Sequence, residues 1–150
     1  LEQLHRGARF LDLRIAGQGK ADDAINIWHG CLPGTTLERV LDDIHLFCQD
    51  FPGEFVIVEL VAEYGRDFTS GQKRKTLELV KEKLGSKFWT ENDVSKLLNK
   101  TLKDVTGQGK QICLLLHPRI FKDFDFAEAK IEEEYHFFNS SKWMQDKFHK

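Results

Sequence analysis

The sequence lacks any apolar run long enough to cross a bilayer. Its longest runs, Phe55-Val56-Ile57-Val58 and Ile112-Cys113-Leu114-Leu115-Leu116, fall far below the ~18 to 20 residues of a helical span. No signal-peptide pattern is visible at the start. Cysteine is scarce. Cys31, Cys48 and Cys113 are odd in number and have no metal-type spacing, which argues against a disulfide framework or a zinc site. An excess of positive charge is missing too. Lys plus Arg is 22 and Asp plus Glu is 24, a net charge of −2, and non-specific nucleic-acid binding rests on surplus cations. No Gly-rich phosphate loop follows a strand. Gly17-Gln18-Gly19 lacks the third glycine and the helix start that a dinucleotide site needs. Internal repeats and low-complexity linkers are also absent.

What remains is an ordinary soluble composition. The 150 residues are 41% hydrophobic and 31% charged, the size and balance of one domain. Such a chain buries about 70% of its unfolded surface without metal or disulfide help. The start at Leu1, with Leu1-Glu2-Gln3-Leu4 reading like mid-helix, suggests a piece of something longer.

Strand and helix patterns alternate along the chain. Phe10 to Ile15 alternates apolar and polar residues, the period of a strand. Gly17 to Asp23 is a polar loop, Ile25 to His29 a short strand, and Pro33-Gly34 a turn. Thr35 and Glu38 have capping-box spacing. Leu37, Val40, Leu41, Ile44 and Cys48 then share one helical face, and Pro52-Gly53 ends that helix. Phe55 to Leu60 is apolar enough for a strand covered on both faces. A helix is expected over Ser70 to Leu84, with Leu77, Val80 and Leu84 inward and Gly85 as its stop. Thr90 caps a short helix carrying Val94, Leu97 and Leu98, Gly107-Gln108-Gly109 turns, and Lys110 to Leu116 is another buried strand. Ala127 to Phe138 has helical composition, and Trp143 to Phe148 forms a further short element. This rhythm predicts an α/β fold with parallel strands and right-handed crossovers.

In such folds reactive groups gather at the carboxyl ends of strands. Asp12 and Arg14 share one strand face with Phe10, and Leu11, Leu13 and Ile15 hold the other. The pair is either a salt bridge on an exposed face or working equipment. His29, after Trp28 and before Gly30, exchanges protons near neutral pH or serves the structure. Together Arg14 to hold phosphate, His29 as acid or base and Asp12 to orient either are the means to cut a phosphodiester without a metal.

Gly7-Ala8-Arg9-Phe10-Leu11-Asp12-Leu13-Arg14, then Trp28-His29-Gly30, Thr36 to Leu41, and Phe51-Pro52-Gly53-Glu54 through Leu60, resemble the X domain of phosphatidylinositol-specific phospholipase C. The likeness continues more loosely to Lys110 through His117. It implies a partial, distorted TIM-type (β/α) barrel spanning 1–150, with the first strand, its catalytic histidine and the later barrel elements outside the chain. It implies that His29 is the general acid for the departing diacylglycerol oxygen. Arg14 stands where calcium-binding members carry a second carboxylate and bacterial-type members carry arginine, a fixed cation suited to bidentate phosphate contact. Val61 stands where calcium-dependent members place a further carboxylate. The resemblance therefore implies no metal and no cofactor. Its substrate would be a phosphatidylinositol-type phospholipid met peripherally at a membrane surface, in a family found inside and outside cells.

Other residues carry open readings. Glu59, in phase with Val61, either faces the interior as a substrate contact or is buried in a hydrogen-bonded role. His117 and Arg119 sit where the family places basic contacts to inositol or phosphate, or they are structural. His5-Arg6-Gly7-Ala8 mimics the start of glycerophosphodiester phosphodiesterases, but Gly7-Ala8 already belongs to the strand entry. A barrel phosphodiesterase of that kind or of the sphingomyelinase D kind is the alternative, as is an inactive X-like lipid- or partner-binding domain. His45 is expected at a helix surface or boundary, and Glu132-Glu133-Glu134 on a solvated helix face. The aromatics around that run, Tyr135 to Phe148, pack as core or touch lipid.

Overall fold

The computed structural model describes residues 1–17, 24–66, 68–89, 100–117 and 138–139. Its strands are β1 (Phe10–Gly17), β2 (Ile25–His29), β3 (Leu32–Thr36), β4 (Val56–Ala62), β5 (Phe88–Trp89), β6 (Ile112–Leu116) and β7 (Phe138–Asn139). The helices are α1 (Glu2–His5), α2 (Leu37–Asp50), α3 (Ser70–Leu84) and α4 (Leu102–Thr106). The strands join in one sheet of order β3-β2-β1-β4-β6-β5, with β7 also paired to β6.

The centre of the sheet is parallel, as the alternating pattern predicts. Phe10 pairs Ile57 through to Ile15 with Ala62, and Val56 pairs Ile112 through to Leu60 with Leu116. The expectation of parallel strands fails at one side. Both β1–β2 and β2–β3 are antiparallel. Only residues 18–24 separate β1 from β2, too few for a parallel crossover of a dozen residues or more. Pro33-Gly34 is no turn but part of β3, an edge strand, where a missing N–H does no harm. That shifts the helix start by one residue. Thr36, not Thr35, caps α2 and accepts from the Arg39 N–H at 3.2 Å.

One face of the sheet carries the main core. Leu11, Leu13 and Ile15 of β1, Val56, Val58 and Leu60 of β4, and Ile112, Leu114 and Leu116 of β6 pack on α2 and α3. The expected inward residues of both helices are there, and Phe47 joins them. Helix α3 begins with a capping box between Thr69 and Gln72 and stops at Gly85, whose φ is +39°. Lys83 of α3 reaches Glu38 and Asp42 of α2 at 3.0 and 3.1 Å, which raises its pKa and pins the two helices side by side. Cys48 and Cys113 are buried, as expected, and burial pushes the Cys113 thiol up to about 11.

The other face divides in two. Toward β6 it is apolar, where Trp89, Val105, Cys113 and Leu115 cluster with Phe55 and Ile57. Toward β1 it is open, and Phe10, Asp12 and Arg14 are exposed there. The segments expected after Thr90 and from Ala127 onward lie outside the described residues, apart from Phe138, which stands in β7 rather than a helix.

Candidate active site

Strand alternation turns Leu11, Leu13 and Ile15 into the core and leaves Asp12 and Arg14 on the opposite face. Arg14 Nη2 lies 3.5 Å from Asp12 Oδ2, and the two side chains are 49% and 43% exposed. A pair this open contributes little to stability. Its guanidinium keeps donors available to an anion. In register, Asp12 lies beside Glu59 and Arg14 beside Val61. Glu59 is half-buried, flanked on its other side by Leu115. Two carboxylates and an arginine thus share one patch, and the arginine offsets part of their mutual repulsion.

His29 arrives by a different route. Because β2 runs antiparallel to β1, the hairpin brings the chain back along β1. The paired stretch runs from Gly17–Ile25 to Ile15–Ile27, and His29 ends β2 two residues beyond it. His29 therefore does not stand at the carboxyl end of a parallel strand but at the end of an antiparallel one, in phase with Ile25 and Ile27, which join the main core, and not with the face that carries Asp12 and Arg14. It is exposed. Among the described residues no hydrogen bond or ion pair joins it to Asp12 or Arg14.

Its neighbours are held firmly. Trp28 is buried, and its indole N–H donates to the Ala16 carbonyl at 3.1 Å. Gly30 has φ +61°, a left-handed conformation that glycine adopts without strain. Arg66, in the loop after β4, touches both. Its guanidinium carbon lies 3.4 Å from the Trp28 ring centroid, and its Nη2 donates to the Gly30 carbonyl at 3.4 Å. Sequence reading passed over Arg66, and no spacing rule points to it. The only hint is an arginine in a chain with an otherwise unexplained strand tryptophan.

Other expected contacts scatter. His117 follows directly after β6, and its N–H donates to the Leu60 carbonyl at 3.0 Å. Arg119 lies outside the described residues. Glu63, just beyond β4, is 6% exposed, and its Oε2 has no hydrogen-bond partner among the described residues. Gly17 is not part of a phosphate loop. It is the seat of the buried Gln72 side chain, whose Nε2 would lie 1.8 Å from a Cβ at that position. Among the described residues, no three of His, Cys, Asp and Glu converge as a metal cage.

Two features stand apart from this patch. His5 packs edge-on against Phe47 and Phe51, with ring centroids 5.8 and 5.5 Å away. The His5-Arg6-Gly7-Ala8 segment is therefore anchored at the amino end of β1, beneath α2. A hollow of about 290 Å³ lies between α1, β1 and α2. Leu11 and Leu13 line it, so it opens on the core side of β1, away from Asp12 and Arg14.

The sequence matches the family "Phosphatidylinositol-specific phospholipase C, X domain" over residues 1–112. No curated protein matches it significantly. Among solved structures, one of the phosphatidylinositol-specific phospholipase C of Staphylococcus aureus is similar, with 25% identity and a TM-score of 0.54. That match covers 77% of this chain and 37% of the other. A pentafluoro-phenylalanine form of the same enzyme matches at 23% identity and a TM-score of 0.55, over 77% of this chain and 37% of the other. The chain thus spans little more than a third of these relatives, and its sheet corresponds to part of their TIM-type barrel. The chain belongs to the phosphatidylinositol-specific phospholipase C X-domain family.

Proposed function

We propose that the protein is a phosphodiesterase that cleaves phosphatidylinositol-type phospholipid without calcium. The products are diacylglycerol and a cyclic inositol phosphate. The inositol 2-hydroxyl oxygen attacks phosphorus and gives its proton to a base. The bond from phosphorus to the diacylglycerol oxygen breaks, and that oxygen takes a proton from His29. Arg14 stabilises the negative charge that builds on the phosphoryl oxygens. Asp12 holds Arg14 in place, and Glu59, His117 and Arg119 contact the inositol phosphate. By resemblance the base is a further histidine, with no counterpart among these residues.

The observation that carries this reading is the exposed Asp12–Arg14 pair, 3.5 Å apart on the open face of β1, within the matched region. An arginine in that place supplies fixed positive charge without a metal. Contact with membrane is peripheral. No helix among the described residues is long and apolar enough to cross a bilayer. Leu32, at the start of β3, and Tyr64, in the loop after β4, are 67% and 82% exposed and offer apolar surface on the two elements that Arg66 ties together.

The test uses the full-length natural protein that carries these residues, with phosphatidylinositol vesicles and phosphorus NMR of the products. The expected signal is a cyclic inositol phosphate, and His29→Ala should abolish it. Unchanged turnover in His29→Ala would remove the acid assignment.

A binding-only X domain is the second reading. Among the described residues no hydrogen bond or ion pair joins His29 to the Asp12–Arg14 pair, which favours it. Vesicle binding with no product in the same assay would establish it. The packing of His5 against Phe47 and Phe51 at the amino end of β1 counts against a glycerophosphodiester phosphodiesterase reading.

A further inference from the structure

We infer that Arg66 is a positioning residue for His29, acting through the two residues on either side of it. The inference rests on the proposed role of His29 as general acid. One guanidinium makes both contacts, lying 3.4 Å from the Trp28 ring centroid and donating from Nη2 to the Gly30 carbonyl at 3.4 Å. His29 is the residue between them. The face of the guanidinium meets the ring while its edge donates, which a planar cation does and an ammonium does not.

Both ends of this clamp are fixed. Trp28 is buried and its indole N–H donates to the Ala16 carbonyl of β1. Arg66 follows Glu63, whose N–H donates to the Ile15 carbonyl, and its own N–H reaches back to the Glu63 carbonyl at 3.4 Å. The loop after β4 is thus moored to β1, and Arg66 spans from it to the hairpin. His29 is the last residue of β2 and pairs with Leu32 of β3, an exposed edge strand whose register shifts between the Asn26 and Trp28 pairs, and Arg66 ties this end of the hairpin to the loop after β4. A general acid must lie within hydrogen-bond reach of its leaving oxygen. A clamp on the flanking residues supplies that constraint without touching the substrate.

The experiment compares the wild type, Arg66→Ala and Arg66→Lys in the full-length protein. Two substrates are used, phosphatidylinositol and a nitrophenyl ester of inositol phosphate. The nitrophenolate departs without a proton, so its release does not depend on a general acid. Arg66→Ala should lower kcat on phosphatidylinositol by about 10- to 100-fold, with KM changed by less than about twofold. On the nitrophenyl ester it should lower kcat by less than about threefold. Arg66→Lys should fall between, since it keeps the charge and loses one of the two contacts. Equal losses on both substrates, or none on either, would overturn the inference. A second readout does not need turnover. The His29 ring resonances, assigned by His29→Gln, should shift in Arg66→Ala and Arg66→Lys. If the wild type shows no turnover, the phosphodiesterase reading fails and the resonances decide alone. Moved resonances support the clamp, and unmoved ones remove it.

Discussion

Arg9 and Arg14 stand on the same strand, or just before it, and live in opposite conditions. Arg9 donates to Glu54 Oε2 at 2.8 Å and to the Leu4 and Ala8 carbonyls at 2.7 and 2.8 Å, and it lies over the Phe47 ring. Its partner Glu54 has its pKa lowered, chiefly by the hydrogen bond from Arg9. The same corner is closed by Gln111, whose Nε2 donates to the Phe51 and Glu54 carbonyls at 2.8 and 3.2 Å. Arg14 has one described ion pair, at 3.5 Å, and is half exposed. At the amino end of the sheet, charge is consumed in holding α1, β1 and β4 together. Further along β1 it is left open to an incoming anion. Polar groups that satisfy one another make a scaffold, and those left open are where ligand chemistry happens.

The largest effect that could break this contrast is on turnover. Arg14→Gln should lower kcat by about 10²- to 10³-fold, the usual cost of one charge-stabilising donor. Its unfolding midpoint should stay close to wild type, since an exposed pair of this kind contributes about 0–1 kcal/mol. Arg9→Gln should do the reverse. It should cost about 1 to 3 kcal/mol in chemical denaturation, from its charge-assisted hydrogen bonds, and leave kcat nearly unchanged. Gly17→Ala comes next. The new Cβ displaces the buried Gln72 side chain, whose Oε1 accepts the Thr69 N–H at 3.0 Å, so about 1 to 2 kcal/mol should be lost. The smallest effect is in pH. Glu54 is held below its ordinary value of 4.5. Its contribution is therefore present above that value and is lost as pH falls below it toward the folded pKa. Stability curves of the wild type and Arg9→Gln should converge over that acid range. Parallel curves would mean that the Arg9–Glu54 bond does not carry the difference.

Much of the fold was legible because its signals are local. The period-two run at Phe10 to Ile15, the apolar run at Phe55 to Leu60 and the capping residues of α3 each declare an element from a few residues. Strand direction was not legible, since it depends on what the loop between β1 and β2 permits, and the pattern of β2 is the same either way. The α2 cap was misplaced by one residue because β3 takes up Pro33 through Thr36, and edge-strand pairing leaves little trace in composition. At the site, Asp12, Arg14 and Glu59 were legible as strand-face residues, and the register sets Asp12 beside Glu59. The Arg66 clamp was hidden because its contacts span 36 and 38 positions of sequence, from Arg66 to Gly30 and to Trp28. Arg119 belongs to the stretch beyond the described residues.

The central claim is that Arg14 takes the place of a metal. It is tested most directly by the cleavage rate of the full-length protein on phosphatidylinositol vesicles in excess chelator, for the wild type and Arg14→Gln. The account predicts undiminished wild-type turnover in chelator and a loss of about 100-fold or more in Arg14→Gln with its melting temperature retained. Wild-type activity that disappears in chelator and returns with calcium would contradict it, as would full turnover by Arg14→Gln.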